Sequence, residues 1–206
     1  MAYSDFTLPE VTKRFHLTLD ERFDLFAPVE AIQPSRLLAE TLEENIPLAL
    51  AIQTEKARSE FIIAPILVEV RRLLDRRISL FSGVDFTVDA SKGLNGICDY
   101  IISQSREQLF IKAPVITIIE AKNENIKAGI AQCTAALLAA RLFNEREGNS
   151  IDVVYGAVTT GNIWRFIKLE DTTVSIDRIE YYLDNVDIIL AILLRIASHN
   201  IPPEKN

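Results

Sequence analysis

Cysteine and histidine are scarce in this chain. There are two of each, Cys98 and Cys133, His16 and His199. Two cysteines exclude a disulfide scaffold and suit a reducing compartment. The four together fit no zinc-ligand spacing. No Ser/His/Asp or Cys/His arrangement is suggested by position, and no G-x-x-x-x-G-K-[ST] loop is present, which excludes an ATP-driven motor within the chain. Glycine and proline are few and scattered, with no low-complexity tract and no repeat. The first residues carry no positive-then-apolar pattern. Apolar runs such as 188–194 fall far short of the roughly 20 residues that span a bilayer. The expectation is a cytoplasmic protein with no membrane partner.

What is present is an ordinary globular composition. The 206 residues are 49% hydrophobic and 25% charged, enough chain to bury about 70% of the unfolded surface in one large domain. The net charge of −7 argues against a generic nucleic-acid coat protein. Its distribution is uneven. Residues 1–50 carry −5, residues 169–206 carry −4, and residues 51–168 carry +2. The middle of the chain is free to face an anionic substrate.

The periodicity changes along the chain. Thr7-Leu8-Pro9-Glu10 has the form of a capping box, opening a helix to about Phe15. Residues 16–34 are mixed. Ser35 caps a helix expected to reach about Asn45 and stop at Pro47. Thr54 caps another to about Arg77, with apolar positions at three- and four-residue steps and a kink or break at Pro65. Arg71, Arg72, Arg76 and Arg77 load its end with positive charge. Then come β-branched and aromatic runs over 80–90, 95–103 and 114–121. An Ala- and Leu-rich helix covers 126–144. Strands follow over 151–159 and 163–169, with a short one near 172–176. A helix over 184–199, ended by Ile201-Pro202-Pro203, closes the chain and is either core or subunit interface. Short loops make the three middle strands an antiparallel meander, and the 126–144 crossover favours a parallel pairing after it. The expected fold class is α/β: a mixed central sheet of about five strands flanked by helices.

One constellation stands out. Glu120 and Lys122 end the run Val115–Ile119 and share one face of its strand. Asp99 interrupts Ile97-Cys98-Asp99-Tyr100-Ile101-Ile102, where burial and strand propensity both disfavour it. If the two strands pair as a hairpin, Asp99 comes beside Glu120. Carboxylate oxygens suit a hard divalent cation, Mg²⁺ or Mn²⁺, and an adjacent amine can orient a water or steady charge on a phosphoryl group.

Asp99, a spacer, then Glu120-Ala121-Lys122 resembles the D…(D/E)xK motif of the PD-(D/E)XK nuclease superfamily. Glu60, in the helix before the sheet, sits where many members carry a further acid, and Gln132 where several carry a glutamine. The helix–β–β–β–helix–β order is similar too. The resemblance implies a restriction-endonuclease-like core over 51–168, a helical extension over 1–50 packed on it, and a strand and helix over 169–206 in the same domain. It implies metal ligation by Asp99, Glu120, the Ala121 carbonyl and Glu60. Lys122 would act on the attacking water, and Gln132 would contact the site. The implied activity is Mg²⁺- or Mn²⁺-dependent hydrolysis of a DNA phosphodiester; the acidic ends of the chain point to a modest affinity for that substrate, or to a homodimer or partner subunit that supplies it. Cys98 stands where the motif has proline, and Ala136 where exonuclease-like members have tyrosine.

Two rival readings use the same residues. One is an inactive relative that binds or scaffolds within a complex. The other hydrolyses a smaller phosphate ester. In the plainest reading Glu120 and Lys122 are a solvated strand end, and Asp99 is a hydrogen-bonded polar group in a bulge.

Overall fold

The structure is a computed structural model that describes residues 1–149 and 151–199. Its first helix, α1 (Leu8–Phe15), begins at Thr7. The Thr7 hydroxyl accepts from the Glu10 N–H, and the Glu10 carboxylate accepts from the Thr7 N–H. The next helix, α2 (Arg36–Ile52), is capped by Ser35 but runs straight through Pro47, past the expected stop. Burial overrides the proline: Leu38, Leu42 and Ala49 are packed into the core along that helix.

The helix expected over 54–77 is three pieces. α3 (Glu55–Arg58) passes into a π-helical turn (Ser59–Ile63) and then α4 (Ala64–Leu73). Pro65 lies in the first turn of α4 and has no N–H for the carbonyl of Phe61, four residues back. The Asn45 side-chain amide of α2 donates to that carbonyl instead, at 3.0 Å. The break at Pro65 is thus absorbed as one wide turn, not a kink. α4 stops at Leu73 because Asp75 and Arg76 take left-handed backbone angles, leaving Arg76 and Arg77 outside it.

The strands are β1 (Thr18–Asp20), β2 (Ser79–Asp85), β3 (Ile97–Ser103), β4 (Val115–Ala121), β5 (Val153–Thr159), β6 (Ile163–Glu170), β7 (Thr173–Ile176) and β8 (Tyr181–Tyr182). They form one mixed, open sheet of eight strands, not five, in the order β1-β7-β6-β5-β4-β3-β2 with β8 on β6. β1 and β8 escape the sequence because two or three residues carry no period. β1, from the stretch read as mixed, pairs parallel with β7. β2, β3 and β4 form the antiparallel meander, and β4 pairs parallel with β5 across helix α5 (Ile126–Arg146). The protein is therefore α/β.

The sheet separates two apolar layers. α5, α1 and the N-terminal Tyr3 and Phe6 cover one face, with Cys98, Ile101, Ile118 and Val158 beneath. α2, α4 and α6 (Val186–Ala197) cover the other, with Tyr100, Ile119, Trp164 and Phe166 beneath. The last helix is core: Ile189, Leu190, Ile192, Leu193 and Ile196 are buried, each contributing about 1.5–3 kcal/mol by removal from water. The stop at Ile201-Pro202-Pro203 lies outside the described residues. α5 is long and apolar enough to cross a membrane by length and composition, contrary to the expectation, and most of it is buried within the protein. It seats close to the sheet through two glycines. A Cβ at Gly129 would stand 2.4 Å from Val158 Cγ1, and one at Gly156 would stand 2.6 Å from Cys133 Sγ.

β2 is a sheet edge. Gln108, from the 104–113 loop, seals part of it: its side-chain oxygen accepts from the Leu80 N–H and its NH₂ donates to the Leu80 carbonyl. Leu109 and Phe110, next in the loop, are exposed.

Candidate active site

Asp99 lies near the start of β3 and Glu120 near the end of β4. The antiparallel register sets Tyr100 opposite Ile119, so one step further brings Asp99 opposite Glu120. There the ladder gives way to a side chain: the Ala121 N–H donates to Asp99 Oδ2 at 2.8 Å. A strand residue sends its N–H and C=O to the same side. The Ala121 carbonyl is therefore directed toward the Asp99 edge. The next amide, that of Lys122, donates to the Thr159 carbonyl of β5 at 2.8 Å.

Lys122 Nζ sits 3.8 Å from Glu120 Oε2 and 3.9 Å from Asp99 Oδ2, one ammonium between two carboxylates. Its stem lies against α5 at Gly129, where an added Cβ would come 3.0 Å from Lys122 Cγ. Gln132, on α5, donates from Nε2 to Glu120 Oε2 at 2.5 Å. The structure thus brings Asp99, Glu120, Lys122 and Gln132 together.

Glu120 is the unusual group. It is 0% exposed, and its Oε1 has no hydrogen-bond partner. Burial pushes its carboxyl well above the ordinary range, and the Asp99 charge pushes the same way, against the pull of Lys122. Glu120 is no solvated strand end. A buried oxygen without a partner costs about 1–3 kcal/mol; here a proton shared with the Asp99 carboxylate, which also pushes the Glu120 carboxyl up, serves it when no cation does. Asp99, at 32% exposure, faces a cleft of about 300 Å³ lined by Glu55, Lys56, Ser59, Glu60, Ser82 and Gly83, among others.

Glu60 lies on the opposite wall of that cleft, half-exposed, with Oε1 accepting from Lys56 Nζ at 2.7 Å. Among the described residues, no group of three or more His, Cys, Asp or Glu side chains stands ready to hold a metal ion. The oxygens that fit a hard cation are those of Asp99 and Glu120 with the Ala121 carbonyl, two adjacent carboxylates with one ammonium between them. Cys98 and Cys133 are buried, their thiols pushed up first by burial and then by the Glu120 charge, so neither is a nucleophile. Of the arginine cluster, Arg71 and Arg72 lie in the last turn of α4, about 10–12 Å from Ala64 at the cleft by helical rise, and Arg76 and Arg77 follow beyond its end.

Sequence reasoning missed several contributors. Tyr100 is buried, with its hydroxyl 2.7 Å from Ser59 Oγ and donating to the Ser59 carbonyl at 2.9 Å. Arg58 donates to the carbonyls of Asn123 and Thr160, tying the loops after β4 and β5 to α3. Gly129 was detectable as a glycine inside an Ala-rich helix, where it costs helix stability unless closeness demands it. Tyr100 and Arg58 carry no such signal.

Comparison of the chain with family models, with curated proteins and with solved structures found no match. The class of protein is therefore argued from this site alone.

Proposed function

We propose that the protein is a metal-dependent phosphodiesterase, a DNA endonuclease of the PD-(D/E)XK type with a restriction-endonuclease-like core. The observation that carries this reading is the buried Glu120, held by Gln132 on one oxygen and unpartnered on the other, with Asp99 and Lys122 beside it. Two carboxylates packed together beside a single ammonium, one of them fully buried, are costly for folding alone and are suited to share a cation.

The chain's own groups divide the work. Asp99, Glu120 and the Ala121 carbonyl supply hard oxygen donors for Mg²⁺ or Mn²⁺. The cation, when bound, supplies Lewis-acid polarisation of a phosphoryl oxygen and a water of lowered pKa. Gln132 holds Oε2 and so fixes the Glu120 carboxylate beside Asp99. Lys122, between the two carboxylates, orients the attacking water and offsets the negative charge that grows on the phosphorus oxygens. Glu60 and Lys56 form the far wall of the cleft, where a phosphate would displace their mutual ion pair and engage Lys56. Acidic ends of the chain leave affinity for DNA to a second copy or a partner subunit, and the protein works in the cytoplasm, off the membrane.

Calorimetric titration of Mn²⁺ into the wild type, Asp99→Ala and Glu120→Ala tests the site without assuming a substrate. Heat in the wild type that both substitutions abolish is expected, together with Mn²⁺-dependent nicking of a supercoiled plasmid. Binding unaffected by either substitution refutes the assignment. Binding with no cleavage of DNA, but with release from a small phosphate ester, moves the substrate and keeps the chemistry.

A further inference from the structure

The cleft has two walls that belong to different parts of the chain. Asp99 comes from β3, inside the sheet. Ser59 and Glu60 come from the π-helical turn, outside it. One buried side chain joins them. Tyr100 follows Asp99 directly, and its hydroxyl meets the hydroxyl and the carbonyl of Ser59, the residue directly before Glu60. With its single proton committed to the Ser59 carbonyl, the Tyr100 oxygen accepts from the Ser59 hydroxyl, and the pair is mutually satisfied.

The turn it grips is costly to hold. A π turn is rare and is found mostly at functional sites. Here its far end is pinned by Asn45 on the Phe61 carbonyl, and its near end by Tyr100 on Ser59. Ala64 N–H returns to the Ser59 carbonyl across the wide turn, so that same carbonyl accepts from two donors. Removing the turn would rotate Glu60 by roughly a residue's arc of about 100° around the helix and carry it away from the cleft.

We propose that Tyr100 is a positioning residue: by clamping Ser59 it holds the Lys56–Glu60 wall against the Asp99 strand and sets the width of the cleft that receives the substrate phosphate. This inference rests on the reading of the site as a metal-dependent phosphodiesterase for its consequence in activity, but the clamp is testable without it.

Hydrogen exchange on the full chain, in EDTA, gives the first readout. Tyr100→Phe keeps the packed ring and removes the clamp, so amides 59–63 should exchange about tenfold faster, the loss of about 1.4 kcal/mol expected for the bonds removed. Amides of α5 should exchange as in the wild type. Ser59→Ala keeps the bond to the carbonyl and should give a smaller change, which also serves should Tyr100→Phe fold poorly. The second readout is the plasmid concentration for half-maximal nicking at saturating Mn²⁺. It should rise about fivefold to tenfold in Tyr100→Phe with little change in limiting rate. Added to Glu60→Gln, the same substitution should change it no further, since both act through one wall. Unchanged exchange over 59–63 overturns the clamp. Faster exchange with unchanged half-saturation, or additive effects with Glu60→Gln, overturns its role in the cleft. A wild type that neither binds Mn²⁺ nor cleaves overturns the reading of the site and the catalytic half of this inference, while the exchange result still decides the clamp.

Discussion

Replacing Glu120 by glutamine should make the metal-free protein more stable. Glu120 is fully buried, one of its oxygens is unpartnered, and Asp99 lies beside it. Glutamine keeps the shape and the acceptor for Gln132, and puts an NH₂ group in place of the orphan oxygen, where it can donate to the facing Asp99 carboxylate. Lys122 retains Asp99 at 3.9 Å as a counter-charge. Relief of one buried unsatisfied oxygen is worth about 1–3 kcal/mol. At roughly 2–4 °C per kcal/mol for a chain of this size, the melting midpoint should rise by about 2–12 °C. The pH dependence fixes the sign. The folded-state pKa of Glu120 is raised, so its contribution is fully present below the ordinary carboxyl value and is lost as pH rises through the folded value. The glutamine variant does not titrate there, and its advantage should open from about pH 4 upward and then level. Differential scanning calorimetry in EDTA between pH 4 and 8 reads both quantities. Mn²⁺ should then reverse the order. It should raise the wild-type midpoint by the linkage term, about 2.7 kcal/mol at a hundredfold excess over Kd, and leave the variant unmoved. A variant less stable than wild type at pH 7 in EDTA, or a gap that ignores pH, would refute the argument that Glu120 is held against its own burial.

Other perturbations separate the parts. Lys122→Ala should cut plasmid nicking by roughly a hundredfold or more while Mn²⁺ binding persists in calorimetry, since the amine acts on water and charge and not on the cation; lost binding would move Lys122 into the support of the ligands. Glu69 accepts from the Arg72 guanidinium and the Ser35 N–H. Burial opposes its charge, but these bonds prevail and hold its carboxyl below the usual range. Its stabilisation is therefore present above the ordinary carboxyl pKa and lost as pH falls through the lowered one, so Glu69→Gln should flatten that acid limb in urea titrations. Asn45→Ala strips the Phe61 carbonyl of its outside donor and should cost about 1–3 kcal/mol by chemical denaturation; a cost near zero would mean that water replaces it.

Much of the fold was legible because its signals are local. The capping box at Thr7, the β-branched runs of the meander and the alanine-rich crossover each announce themselves within one element, and the parallel pairing of β4 with β5 follows from the crossover. Pro65 marks a break as expected, between the π turn and α4, whereas Pro47 misled, since α2 runs through it. Burial of Leu38, Leu42 and Ala49 carries α2 through Pro47, and at Pro65 the abandoned Phe61 carbonyl is served by Asn45, distant in sequence; neither shows in the local pattern. The site divides in the same way. Asp99, Glu120 and Lys122 converge as the strand register requires, and Gln132 joins them from α5. The register does not reveal that Glu120 Oε1 would be left bare, that Lys56 would occupy Glu60, or that Tyr100 would reach across to Ser59. Those depend on side-chain packing between elements, for which a single sequence carries no period.

The Gln108 amide has a further consequence. With its oxygen on the Leu80 N–H and its nitrogen on the Leu80 carbonyl, it impersonates one residue of a ninth strand. An incoming chain seeking to extend the sheet at β2 finds that berth taken. Leu109 and Phe110, exposed beside it, would otherwise add apolar attraction to an open edge. The loop thus carries a lure and its safeguard in adjacent residues. Variation that trims Gln108 while sparing its apolar neighbours would turn this margin of the sheet from a boundary into a template.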